Sequence, residues 1–238
     1  MENNTDKKQN FGRELLLKIC IQHPNDEFPQ TLLAKFEIFE QLYHRCGDSF
    51  RTPCGSYLFD GKTYQYDASM YEKQQLLYSR AKLAESVLEI GVYMGHSALI
   101  MLLANPRLHF TGIDISDQYA APAMSYLQEV FPEATLKFIC QDSIGVLPPQ
   151  KFDLFHIDGD HSAATITGEF KLSRQLIDTT KKQIAYIFDD YNGFPEAINQ
   201  LISTYAAKDV VLPNCAWRNI AFNIEVENII NALAKEGL

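Results

Sequence analysis

Short apolar runs alternate with amphipathic stretches through most of this chain. Val87–Ile90, His109–Ile115, Leu136–Cys140, Phe152–Ile157 and Gln183–Phe188 are too short and too apolar for surface helices, so they read as buried strands. Helical patterns separate them at Ser97–Ala104, at about Asp117–Val130 and at about Ser162–Ile177. Short apolar strands joined by helical crossovers predict a doubly wound α/β fold whose mostly parallel sheet is covered on both faces. Downstream, Pro195–Tyr205 reads as a helix, Val210–Leu212 and Trp217–Glu225 as strands, and Glu227–Glu236 as a short terminal helix.

Upstream of the sheet the pattern changes. Phe11–Gln22 and Phe28–His44 carry apolar residues at three- and four-residue spacings and predict two helices. The stretch Arg45–Asp67 holds Gly47, Pro53, Gly55 and Gly61, and reads as a loop able to border a site as a lid. Phe59, Tyr64 and Tyr66 in it could meet an apolar substrate, or the two tyrosines could share one face of a strand. Ser69 followed by Glu72 has the spacing of a capping box, which predicts a helix start there and a helix running to about Leu83. The expected division is an N-terminal helical and lid region over 1–68 and one α/β domain over 69–238.

Composition narrows the class. The 238 residues are 46% hydrophobic and 21% charged, the balance of a folded globular protein. A net charge of −9, with no basic run longer than Lys7-Lys8 or Lys181-Lys182, argues against a surface that tracks nucleic-acid phosphates. Five widely spaced cysteines without a CxxC pair favour a reducing compartment, and no apolar run approaches the roughly 20 residues that span a bilayer. With no apolar leader in the first ten residues, the expectation is a cytoplasmic enzyme; self-association into a homo-oligomer is left open.

The candidate chemistry sits where the predicted strands end. Glu89-Ile90-Gly91-Val92-Tyr93-Met94-Gly95-His96-Ser97 leaves a strand and opens a helix, the place where a doubly wound fold offers backbone N–H groups to a ligand. Gly91 permits the turn and Gly95 a close approach of backbone to cofactor. Tyr93 occupies the position of the middle glycine of a dinucleotide motif and argues against a pyrophosphate there. Glu89 could orient the turn or attract a cationic amino-acid group. Asp114, after the second strand, suits two ribose hydroxyls, and Asp142 could accept from an adenine amino group; equally, Asp142 or Ser143 could cap a short helix.

A second group of acids follows the fourth and fifth strands, Asp158 in HIDGDH and Asp189-Asp190 in IFDDY. If those strands are neighbours, the acids converge, and carboxylates so close need a compensating cation; all-oxygen ligands favour Mg²⁺, with Mn²⁺ or Ca²⁺ as alternatives. His161, three residues past Asp158, could remove a proton from an acceptor hydroxyl, or could cap a helix or orient Asp158. His156 lies within the apolar strand and reads as a buried supporting residue.

Taken together, EIGVYMGHS, the acid in GIDIS, QDS, FDLFHIDGDHS and IFDDY resemble the class I S-adenosylmethionine-dependent methyltransferases over about Ser69–Glu225. They are similar in particular to the metal-dependent O-methyltransferases of the catechol and macrolide-sugar types. The resemblance implies a seven-stranded Rossmann-like sheet whose last strand is antiparallel. It implies S-adenosylmethionine held by Glu89, Gly91, Tyr93, Gly95, Ser97, Asp114, Asp142 and Ser143, and a divalent metal held by Asp158, Asp189 and Asp190. His161 matches the histidine of the sugar-modifying relatives, where catechol-type enzymes place lysine; Asp190 stands where the latter often have asparagine. The implied reaction is methylation of a hydroxyl on a small molecule: a sugar, a phenol or a polyketide-like compound. Rival readings are a metal-independent or nitrogen-directed methyltransferase, a nicotinamide-dependent oxidoreductase, and a cofactor-binding protein without catalysis.

Overall fold

Successive residues of a strand point to opposite faces of its sheet, and here both directions meet apolar cover. In the first strand, Val87 packs into one buried cluster and Leu88 into another; Leu154 and Phe155, and Ile187 and Phe188, divide in the same way. The computed structural model describes residues 11–145, 148–160 and 162–237. Its sheet contains β1 (Ser86–Ile90), β2 (His109–Asp114), β3 (Thr135–Cys140), β4 (Leu154–Ile157), β5 (Gln183–Phe188), β6 (Lys208–Val211) and β7 (Ile220–Glu225). The strand order is β3-β2-β1-β4-β5-β7-β6, parallel except for β7, which is antiparallel to both its neighbours.

The helices are α1 (Arg13–Gln22), α2 (Glu27–Ala34), α3 (Phe36–Arg45), α4 (Tyr71–Ala81), α5 (His96–Ala104), α6 (Asp117–Val130), α7 (Ala163–Ser173), α8 (Pro195–Thr204) and α9 (Val226–Glu236). The chain leaves β1 toward β2 and β3 on one side, then returns to β4 and β5 on the other. That reversal opens a crevice between the carboxyl ends of β1 and β4, where doubly wound sheets bind ligands. Among the described residues no helix is long and apolar enough to cross a membrane.

Two expectations fail locally. The helix predicted over 28–44 is broken at Lys35, whose φ of −122° and ψ of 28° separate α2 from α3. The capping box does not form: Asp67 accepts from the Ser69 N–H and starts a 3₁₀ turn ahead of α4, while Glu72 accepts from the Asn214 N–H.

The N-terminal elements share the core of the sheet. Phe28, Phe36, Phe39 and Leu42 belong to the same buried cluster as Val87, Leu99 and Leu127. The loop residues Tyr57, Phe59, Tyr64 and Tyr66 are buried there as well, with Tyr64 stacked on Phe39 at 4.6 Å.

Candidate active site

Each site residue continues the hydrogen-bond ladder of the strand it follows. Gly91 N–H donates to the Ile113 carbonyl at 2.8 Å, Asp158 N–H to the Ile90 carbonyl at 2.9 Å, and Asp189 N–H to the Ile157 carbonyl at 2.9 Å. The sheet therefore fixes the rim. Gly91 has φ 87°, and a Cβ there would lie 1.9 Å from the Asp158 carbonyl oxygen, so the turn after β1 and the first acid after β4 are pressed into one edge. Gly95, at φ 72°, is the N-cap of α5, and no side chain caps that helix, leaving its first N–H groups for a ligand. Tyr93 adopts φ 47° without being glycine; its hydroxyl accepts from the Arg51 N–H at 2.8 Å and its ring meets Tyr119 edge-on.

The acids along this rim differ in what remains free. Asp114 accepts from the N–H groups of Val92 and Tyr93 at 3.0 and 2.8 Å and from Ser116 at 2.9 Å. A carboxylate offers about four acceptor positions, so one is left for a ribose hydroxyl rather than the two expected. Glu89 is fully buried: Oε1 pairs with His156 Nδ1 at 2.7 Å, whereas Oε2 has no partner. Asp142 closes a tight turn by accepting from Ile144 N–H, Ser143 donates to Glu169, and no helix follows among the described residues of 141–153. Ser97 is buried in α5.

The register Ile157↔Phe188 sets Asp158 beside Asp189, and Asp190 turns at φ 51°. Ligand oxygens of Asp158, Asp189 and Asp190 all lie within 4.8 Å of one another. Desolvation, then the neighbouring Asp189, pushes the Asp158 carboxyl well above the usual carboxylate range, against the opposing pull of Lys73. Lys73 comes from α4. Its Nζ lies 2.6 and 2.7 Å from the two oxygens of Asp189 and 4.3 Å from the centre of the Tyr57 ring. Burial alone would lower the Lys73 pKa, but Asp189 and Asp158 carry it above its ordinary value, so the ammonium is kept.

Tyr57 joins this cluster to Glu89. Its hydroxyl lies 2.8 Å from His156 Nε2 and accepts from Asn219 Nδ2 at 3.1 Å. The same hydroxyl lies 3.5 Å from Asp189 Oδ1, to which it can donate. Desolvation, then the nearby Asp189 and Asp158, raises the Tyr57 pKa well above that of a free phenol.

Residues 88–191 match the family model of a methyltransferase domain. Those residues are similar to that methyltransferase domain family. The fold is shared with a methyltransferase of Podospora anserina solved with S-adenosylhomocysteine, 14% identical over 89% of this chain and 96% of that one, at a TM-score of 0.59. It is shared also with an O-methyltransferase of Bacillus cereus bound to the same product, 15% identical over 79% and 90%, at 0.52. The N-methyltransferase NodS of Bradyrhizobium japonicum, again with S-adenosylhomocysteine, is 12% identical over 79% and 97%, at 0.51. No curated protein matches the sequence significantly.

Within residues 88–191, the expected residues Glu89, Gly91, Tyr93, Gly95 and Asp114 gather after β1 and β2, and Asp158, Asp189 and Asp190 after β4 and β5. His161 lies outside the described residues. His96 is buried between Ser56 Oγ at 2.9 Å and Tyr64 Oη at 2.7 Å. Sequence reasoning missed Lys73, Tyr57 and Asn219, which reach the cluster from distant segments and carry no local motif. Ile115, immediately after Asp114, is 78% exposed, and Ile144, after Ser143, is 50% exposed.

Proposed function

We propose that this protein is an S-adenosylmethionine-dependent O-methyltransferase acting on a hydroxyl of a small molecule: a sugar, a phenol or a polyketide-like compound. The observation that carries the reading is the contact of the cofactor turn with the carboxylate cluster, Gly91 against the Asp158 carbonyl, which brings methyl donor and acceptor site to one edge. Bound S-adenosylmethionine supplies an electrophilic methyl group on a sulfonium. Glu89 Oε2, buried and unpartnered, suits its α-ammonium, and the remaining acceptor position of Asp114 suits a ribose hydroxyl. Ile115 and Ile144 offer apolar surface to the adenine.

Three converging carboxylates, with the ionised form of Asp158 disfavoured by burial and by Asp189, fit a hard divalent cation, Mg²⁺ by donor type. Held by Asp158, Asp189 and Asp190, it would lower the pKa of the acceptor hydroxyl. His161 is assigned the proton of that hydroxyl, on the strength of its place three residues beyond Asp158. The methyl group would pass from the sulfonium to the hydroxyl oxygen, leaving a neutral thioether, and His161 would take the hydroxyl proton.

A second reading is kept because Lys73 already neutralises Asp189 and because the fold is shared with an N-methyltransferase. It is a metal-independent or nitrogen-directed transfer at the same crevice. Calorimetric titration of metal-stripped protein with S-adenosylhomocysteine, repeated with Mg²⁺, tests the reading. Saturable binding near one molecule per chain is expected, followed by chelator-sensitive methylation in a screen of hydroxylated acceptors. No binding under either condition overturns the proposal, and chelator-insensitive turnover favours the second reading.

A further inference from the structure

Lysine is rarely buried without a partner, and Lys73 is almost entirely so: its side chain is 5% exposed and that of Asp189 9%. The ammonium touches both oxygens of a single carboxylate and has the Tyr57 ring beside it. The helix that carries it is itself fixed. Gln74, the next residue, donates to the carbonyls of Tyr57 and Asp67 and accepts from the Tyr66 hydroxyl at 2.7 Å. Lys73 is thus placed by its surroundings rather than drawn in from solvent.

We propose that Lys73 is a resident counter-cation and positioning residue of the carboxylate cluster. It holds Asp189 in place when no metal ion is bound, and it opposes the ion that binds, so that affinity for the ion is held down. The second half rests on the divalent-cation reading above. A purely structural lysine, when removed, loosens the cluster and weakens metal binding. A counter-cation does the reverse, because its removal takes a positive charge away from the ion's neighbourhood.

The test uses the full chain as wild type, K73M, K73R, D189N and K73M/D189N. In chelator, K73M should lower Tm by about 10 °C, since one buried charge is left unpaired, and K73M/D189N should recover most of that loss. In calorimetric titration with Mn²⁺ alone, K73M should bind at least about tenfold tighter than wild type, with K73R close to wild type. Should K73M be too unstable to titrate, K73Q against K73R carries the same comparison. An unchanged Tm in K73M, or no recovery in the double variant, overturns the positioning role; Mn²⁺ binding that is no tighter overturns the opposing role. If no variant binds Mn²⁺, the divalent-cation reading fails and the opposing role with it, while recovery in the double variant still assigns Lys73 to Asp189.

Discussion

At the scale of single residues, the hydrogen-bond partners of His96 determine its charge. Tyr64 gives its hydroxyl proton to the Phe39 carbonyl at 2.9 Å, so it must accept from His96 Nε2–H, which leaves Nδ1 to accept from Ser56. A neutral ring satisfies both partners and a protonated one cannot; burial pushes the pKa down to about 3. Between that value and the unfolded pKa of about 6.5 the unfolded chain binds a proton that the folded chain refuses, so stability falls as pH falls through this window. Relative to His96→Gln, which does not titrate, wild type should lose up to about 1.4 kcal/mol per pH unit below pH 6.5. Urea denaturation of both proteins at several pH values measures this; parallel profiles would show that His96 is protonated in the fold. The residue beside Gly95 was visible in the sequence, but its partners were not, because Ser56 and Tyr64 reach it only after the N-terminal loop has packed.

At the scale of elements, the sheet and the starts of α5 to α9 were legible, and the start of α4 was not. Strands buried on both faces must be apolar at consecutive positions, and that requirement marks β1, β2, β4 and β5 within a residue or two of their observed ends. A helix start depends instead on which of several polar side chains wins a few orphan N–H groups. Before α4 the sequence offers both Ser69 with Glu72 and Asp67; Asp67 prevails because its carboxylate reaches the Ser69 N–H at 2.8 Å and also accepts from the Ser69 hydroxyl. Asp67→Ala should therefore cost about 1 kcal/mol and Ser69→Ala less, read as shifts in the denaturation midpoint. The opposite ranking would restore the capping box. The start of α4 bears on the site, since Lys73 stands in its first turn and its register decides whether the ammonium meets Asp189.

At the scale of the whole molecule, the boundary expected at residue 68 does not coincide with a break in the core. One buried cluster runs from Phe11 through Phe39, Tyr64, Val87 and Leu127 to Ala221. Three ties also cross that boundary into the site, all from the Tyr57 hydroxyl: to His156, to Asn219 and to Asp189. The sequence showed a Gly- and Pro-punctuated loop at 45–67 because its residues have no helical or strand period; its aromatics are buried by tertiary packing, which leaves no periodic trace. A fragment of residues 69–238 would expose the faces that Phe28, Phe36, Phe39 and Phe59 cover and would leave the Glu89–His156 pair open to water. We therefore expect the full chain to unfold in one transition and the fragment to show none, with near-UV circular dichroism lost and strong binding of a hydrophobic dye. A fragment that unfolds cooperatively and still binds S-adenosylhomocysteine would instead make the first 68 residues an appended lid. Lys73 would then reach Asp189 from α4 without support from the N-terminal loop, and K73M should destabilise fragment and full chain alike.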